Sequence, residues 1–193
     1  MSKAVESALA EHGLMPAGSH PQTHGELPRQ LDRSLRSEIA VYSGSFDPIT
    51  LGHRSVVERA LPLFAKVVCL VAIHPTKQPL FTGSERVQLI AEALADLPGV
   101  EVAFTRGYTV DFARRMGARY LLRGIRDQTD AGYETELATL NHGLAPEIST
   151  WFLSADPNLS EISSSELKRR AERGDPLDAW CAPCVASALR RST

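Results

Sequence analysis

The sequence predicts an α/β protein built on an open, five-stranded parallel sheet with helices on both faces. Three observations carry that prediction. Short β-rich runs alternate with helical segments of roughly ten or more residues, the pattern of βαβ units. Two of the runs, Val67–Ile73 and Tyr120–Leu122, are apolar enough for central strands covered on both faces. The chain has 193 residues, 43% hydrophobic and 23% charged, which suits one core with little left for a second.

Taken in order, residues 1–38 stand apart from the rest. They contain no Phe, Trp or Tyr, and turn formers such as Pro16-Ala17-Gly18-Ser19 break them up. Ser2 to Leu14 has a short helical pattern, but an isolated helix of that length is marginal. His12, His20 and His24 are irregularly spaced and read as solvated loop residues rather than metal ligands. Residues 1–38 therefore read as a flexible extension, and residues 39–193 as the folded domain.

The strands expected are Ile39–Tyr42, Val67–Ile73, Val100–Phe104, Tyr120–Leu122 and Ser149–Leu153. The intervening helices are Gly52–Phe64, Ser84–Leu97, Val110–Met116 and Asp130–His142. Thr82-Gly83-Ser84-Glu85 has the form of a capping box and marks the start of the second of these. Two further helices, Ser164–Arg173 and Leu177–Arg190, are divided by Gly174-Asp175-Pro176. The result is a Rossmann-like sheet, whose ligands bind at the carboxyl ends of the strands.

Composition narrows the function. Lys and Arg number 21 against 23 Asp and Glu, a net charge of −2, which argues against general binding to nucleic acid or an anionic membrane. The longest apolar run, Val67–Ile73, is far short of the about 20 residues a membrane helix needs. No secretory h-region is visible. Three cysteines suit a reducing compartment, so a cytoplasmic location is expected. Cys69 reads as a small core residue. Cys181-Ala182-Pro183-Cys184 places a C-x-x-C at the start of the last helix. It lacks further metal ligands and reads as incidental, although a helix start lowers a thiol pKa.

Unusual polar residues stand where strands give way to helices. After the first strand comes Ser43-Gly44-Ser45-Phe46-Asp47-Pro48-Ile49-Thr50-Leu51-Gly52-His53. Gly44 and Gly52 permit close backbone approach, and Asp47-Pro48 turns the chain before the helix. His53 falls in the first helical turn, where free N–H groups favour an anion, and its imidazole is able to donate to a phosphate oxygen. Lys77 follows the second strand. The fourth strand runs into Arg123-Gly124-Ile125-Arg126, two guanidiniums suited to phosphate. Ile162-Ser163-Ser164-Ser165-Glu166 combines a second capping box with three hydroxyls at a helix N-terminus. No P-loop, G-x-G-x-x-G or G-x-S-x-G motif is present, which removes the main support for P-loop, dinucleotide and α/β-hydrolase readings.

The stretch Ser43 to His53 resembles the signature of the nucleotidyltransferase superfamily. Arg123-Gly124-Ile125-Arg126, Tyr133-Glu134, Asn141 and Ile162-Ser163-Ser164-Ser165 resemble, more narrowly, the phosphopantetheine adenylyltransferases. The resemblance runs from about Ile39 to Leu189 and makes 39–193 a nucleotidyltransferase domain. It implies transfer of AMP from ATP to 4′-phosphopantetheine, giving dephospho-coenzyme A and pyrophosphate.

By the same resemblance, His53 binds the α-phosphate and stabilises the transition state, and Ser45 bridges nucleotide and acceptor. Lys77 and Arg123 hold the acceptor phosphate, making His53, Lys77 and Arg123 the catalytic set, and Thr109 lies against the pantetheine arm. The ATP site comprises Ser45, Phe46, His53, Gly124, Ile125, Arg126, Glu134, Leu159, Ser160, Glu161, Ile162, Ser163, Ser164 and Ser165. Mg²⁺ is expected to arrive on the ATP phosphates, with no metal ligands on the protein. A homohexamer is the family expectation.

The sequence departs from the family pattern in places. Ser45 stands for Thr, Leu51 for Asn, Ala131-Gly132 for Phe-Glu and His142 for Arg. Thr109 occupies a usually apolar position behind a bulky Tyr108. Two alternatives stand beside the leading reading. One is a sister transferase acting on another phosphorylated acceptor, such as nicotinamide mononucleotide or glycerol phosphate. The other is a catalytically silent, nucleotide-binding regulatory module.

Overall fold

The structure, a computed structural model, describes residues 35, 37–73, 78–126, 128–154 and 156–192, with the backbone alone at 128, 129 and 157. Lys77 and nearly all of the stretch read as an extension lie outside the described residues. Five strands, β1 (Ile39–Gly44), β2 (Lys66–Ala72), β3 (Val100–Thr105), β4 (Tyr120–Ile125) and β5 (Ser149–Ser154), form one sheet. Its helices are α1 (Leu51–Ala60), α2 (Gly83–Ala93), α3 (Thr109–Arg115), α4 (Gln128–Leu144), α5 (Ser164–Arg173) and α6 (Pro183–Ser192). A single 3₁₀ turn, Pro157–Leu159, joins β5 to α5.

The strand order is β3-β2-β1-β4-β5, and every pairing is parallel. The chain builds outward from β1 to β3, then crosses to the other side of β1 to lay down β4 and β5. The order therefore reverses between β1 and β4, and a crevice opens at their carboxyl ends. Side chains alternate along each strand and feed two cores. Ala40, Tyr42, Val67, Cys69 and Leu122 pack with Val56, Val57, Leu89, Ile90, Val185 and Leu189. Val41, Val68, Leu70 and Leu121 pack with Val110, Ala113, Ala145 and Ile148. The middle of β2, Val67 to Val71, is buried throughout, whereas edge strands β3 and β5 are only partly covered.

Several boundaries shift from the sequence expectation. The folded part begins before residue 39: Leu35 packs against the core, and Glu38 pairs with Arg119 at 2.7 Å. Helix α1 ends at Ala60 and α2 at Ala93, each followed by turns. Strand β4 runs on through Arg123 and Gly124 to Ile125. The helix expected over Leu177–Arg190 begins only at Pro183, the first-turn position proline favours. Upstream of it, the Leu177 carbonyl accepts the N–H groups of Trp180 and Cys181 in an isolated turn. Leu177 and Cys181 are buried there just as helical periodicity would have placed them.

Candidate active site

At the carboxyl end of β1, the turn from Ser45 to Thr50 is fastened from three directions. Asp47, largely buried, accepts the N–H groups of Leu80 (2.9 Å) and Phe81 (3.0 Å) and pairs with Lys168 of α5 at 3.0 Å. Burial alone would raise its pKa, but the two N–H donors and Lys168 hold the carboxyl below its ordinary value. The Ser45 carbonyl accepts from the Arg86 guanidinium at 2.8 Å. Between them Phe46 sits at φ 44°, a left-handed conformation uncommon for a bulky residue, and the Asp47–Pro48 peptide bond that follows is cis. The Phe46 ring is only 1% exposed, so of the two turn residues assigned to ATP it has backbone rather than side chain to offer. Gly44 lies against that ring: a Cβ there would stand 3.1 Å from it.

Helix α1 starts at Thr50, and His53 closes its first turn. The Thr50 backbone N–H donates to His53 Nδ1 at 3.1 Å, and the Thr50 hydroxyl lies 2.9 Å from the same nitrogen. In return the His53 N–H donates to Thr50 Oγ1 at 3.4 Å. This is a capping box in which histidine takes the place of the usual Glu or Gln. A nitrogen that accepts a backbone N–H carries no proton, so the imidazole is neutral with its hydrogen on Nε2. Burial lowers the His53 pKa, and the charges of Arg126 and Arg123 push it further, to about 4. The ring rests edge-on against Phe46, with centroids 5.0 Å apart.

Opposite, β1 and β4 pair from Ala40↔Tyr120 to Tyr42↔Leu122, and there the ladder stops. One residue on, the Arg123 guanidinium donates to the Ser43 carbonyl and to Ser43 Oγ (3.0 Å). Its other edge is gripped by Glu134 of α4, through Nε and through Nη2 at 2.8 Å. Arg123 and Glu134 are 13% and 12% exposed, so the pair is well shielded from screening. Arg126 makes a similar two-point contact with Asp130, at 2.6 and 2.9 Å. The two guanidiniums read as a clamp are thus both engaged by carboxylates from the first turns of α4. Gly124 lies where α1 crosses: a Cβ there would come 3.2 Å from Val56 and 3.4 Å from the Tyr42 hydroxyl.

The stretch from Leu159 to Ser165 docks on the start of α1. Gly52 leaves room for it, since a Cβ there would stand 3.4 Å from the Ile162 carbonyl and 3.8 Å from that of Leu159. The Ser164 hydroxyl donates to the Pro48 carbonyl at 2.8 Å. The Ser163 hydroxyl caps α5 by accepting the Glu166 N–H at 3.1 Å. Only half of the expected second capping box forms, because Glu166 turns instead to Arg169, Arg170 and Arg173. Of the three hydroxyls read as a phosphate cradle, two are committed to the protein and Ser165 is exposed. The N-termini of α1 and α5 meet here, but at α1 the Leu51 N–H is taken by the Trp180 carbonyl at 2.9 Å and the His53 N–H by Thr50, so fewer free N–H groups remain than the sequence led one to expect.

The structure therefore brings Ser45, His53, Gly124, Arg126, Glu134, Arg123 and the 159–165 turn to one end of the sheet. Ile125 ends β4 beside them. Thr109 opens α3 after β3, at the same end of the sheet but two strands away from β1. Three participants escaped the sequence reading. Thr50 was hidden because the capping-box template asks for Glu or Gln. Asp47 read only as a turn residue, and Arg86 drew no reading of its own within the helix expected over Ser84–Leu97. The C-x-x-C follows Trp180, whose carbonyl accepts the Leu51 N–H at the start of α1 at 2.9 Å. Burial pushes Cys181 up to about 11 and also raises Cys184, so neither thiol gains reactivity from its helix start.

Comparison with known proteins gives a consistent picture. A cytidylyltransferase-like family model matches residues 41–170. A phosphopantetheine adenylyltransferase of Desulforudis audaxviator is 48% identical over 153 residues, covering 79% of this chain and 94% of that protein. Its counterpart in Synechococcus is 45% identical over 152 residues, covering 79% and 96%. That of Lacticaseibacillus casei is 44% identical over 156 residues, covering 80% and 93%. A crystal structure of a Vibrio parahaemolyticus protein put forward as a nicotinate-nucleotide adenylyltransferase superposes with a TM-score of 0.62 over 80% of this chain and 99% of that one. At 17% identity the last likeness is one of fold alone.

Proposed function

We propose, from the premise that this chain belongs to the phosphopantetheine adenylyltransferases within the cytidylyltransferase-like family, a mechanism for its crevice between β1 and β4. The enzyme transfers AMP from ATP to 4′-phosphopantetheine, yielding dephospho-coenzyme A and pyrophosphate. An oxygen of the acceptor phosphate attacks the α-phosphorus of ATP. As that P–O bond forms, the bond from the α-phosphorus to the bridging oxygen breaks and its electron pair leaves with pyrophosphate. No covalent enzyme intermediate is needed. The requirement is to hold two anions in line and neutralise the charge that builds on the phosphoryl oxygens.

The neutral His53 carries this reading. With Nδ1 fixed by Thr50, the Nε2–H is the donor left for a non-bridging α-phosphate oxygen. A neutral donor binds that oxygen most strongly as its charge grows, and gives up no proton in doing so. The N-termini of α1 and α5 add partial positive charge on the same side. Ser45 reaches both substrates, and Arg123, with Lys77, takes the acceptor phosphate. For that, Arg123 keeps its hold on Ser43 and turns the Glu134-facing edge toward the ligand. Gly124, Ile125, Arg126, Glu134 and residues 159–165 line the ATP side, and Thr109 lies along the pantetheine arm.

The donors here are N–H groups and guanidiniums, and the carboxylates of Asp47, Asp130 and Glu134 are each engaged by a cation. That set fits phosphates bringing their own Mg²⁺ rather than a metal held by the protein. The ion supplies charge neutralisation on the leaving pyrophosphate.

We place the enzyme in the cytoplasm, in keeping with its free cysteines, and assign it a homohexameric assembly. Supporting self-association, Tyr133, Leu140 and Leu144 lie at helical spacing on α4, 62%, 65% and 48% exposed. Among the described residues, no helix is long and apolar enough to cross a membrane. The test is pyrophosphate release from Mg-ATP with 4′-phosphopantetheine, nicotinamide mononucleotide or glycerol phosphate as acceptor. Turnover with the first alone is expected, and turnover with another acceptor alone would overturn the assignment.

A further inference from the structure

Arg86 is 3% exposed, yet the partners of its side chain are two carbonyl oxygens, Ser45 O at 2.8 Å and Thr82 O at 3.4 Å. Among the described residues no carboxylate pairs with it, whereas Arg54, Arg114, Arg119, Arg123 and Arg126 each have one. A buried guanidinium without a counter-ion is costly, and an apolar side chain of similar volume would fill the space at less cost. Its position suggests what the charge does. Ser45 and Asp47 flank Phe46, whose left-handed φ of 44° persists only where the surroundings over-determine it. One short stretch, Leu80 to Arg86, holds both neighbours: Leu80 and Phe81 donate to Asp47, and Arg86 donates to Ser45.

We propose that Arg86 is a positioning residue for nucleotidyl transfer, holding the Ser45 carbonyl so that the Ser45 hydroxyl and the following turn meet the substrate phosphates. Its unpaired charge finds its counterpart in those phosphates, through the Ser45 peptide. The inference rests on Ser45 contacting the phosphates, as set out above. Arg86 itself touches neither substrate.

The experiment is a double-mutant cycle on the full chain: wild type, Arg86→Met, Ser45→Ala and the double variant. For each, kcat and both KM values come from pyrophosphate release, and affinity for a non-hydrolysable ATP analogue comes from calorimetry. Arg86→Met is expected to lower kcat at least about tenfold in the wild-type background and less than about threefold in the Ser45→Ala background, because it acts through Ser45. Arg86→Lys, which keeps a donor and the charge, should recover part of the loss. It also serves as the readout if Arg86→Met fails to fold. Equal losses in both backgrounds, or an Arg86→Met enzyme with unchanged kcat, would overturn the proposal. If wild type does not turn over with any acceptor, the reaction assignment falls and the same cycle is read in analogue affinity. Coupled losses there uphold the role of Arg86, and additive losses overturn it.

Discussion

Arg123 takes the Ser43 carbonyl one residue beyond the last rung of the β1–β4 ladder. The two central strands part after Tyr42 and Leu122, and a side chain from one satisfies the backbone of the other. The crevice thus opens at the reversal of strand order with the Ser43 carbonyl already paired, and with a guanidinium built into its wall.

A lysine cannot reproduce that grip. Arg123→Lys keeps the charge but cannot span Ser43 and both oxygens of Glu134. We expect kcat/KM for 4′-phosphopantetheine to fall by about ten- to a hundredfold, with KM for ATP changing far less. Equal losses toward the two substrates would place Arg123 elsewhere in the reaction.

Histidine 53 combines two roles that a substitution can separate. His53→Gln restores the ordinary capping box and so should keep the melting temperature, while kcat falls about a hundredfold or more through loss of the Nε2–H donor. His53→Ala should lose both.

The depressed pKa of His53 also makes stability depend on pH. Between its folded value of about 4 and its ordinary value of 6.5, the unfolded chain binds the extra proton. This contribution is complete above pH 6.5 and is lost as the pH falls toward 4. Melting temperature should therefore drop more steeply over that window in wild type than in His53→Gln. Parallel curves would contradict it.

Neighbouring serines should behave differently. Ser163→Ala removes the α5 cap and should cost about 1 kcal/mol of stability with little change in KM for ATP. Ser165→Ala leaves the fold alone and should raise KM for ATP several-fold. Kinetics and thermal unfolding on the two variants distinguish the structural hydroxyl from the one that meets ligand.

Both thiols of the C-x-x-C should be slow toward iodoacetamide in the native enzyme. With Cys181 at about 11, roughly one thiol in a thousand is ionised at pH 8. Rapid native-state alkylation at Cys181 would overturn that description.

Much of this molecule was legible from sequence because local rules and tertiary structure agree. Thr82 and Glu85 form the expected reciprocal cap, at 3.3 and 2.7 Å. The motif at Ser43–His53 sits where strand-end chemistry was expected. The misreadings have particular causes. Leu177 and Cys181 keep helical spacing in a turn that Pro183 separates from the helix. Strand β4 read as ending at Leu122 because Arg123 and Gly124 look like loop residues, though their backbone continues the pairing with β5. Arg86 was invisible because a charged residue on an amphipathic helix reads as surface, and its burial depends on a turn 41 residues away.

The protonation state of His53 tests the account most directly, by nitrogen-15 NMR of the imidazole between pH 4 and 8. The expected result is a hydrogen on Nε2, an accepting Nδ1 and no titration until the pH approaches about 4. A midpoint near 6.5, or a hydrogen on Nδ1 at neutral pH, would contradict the role given to His53.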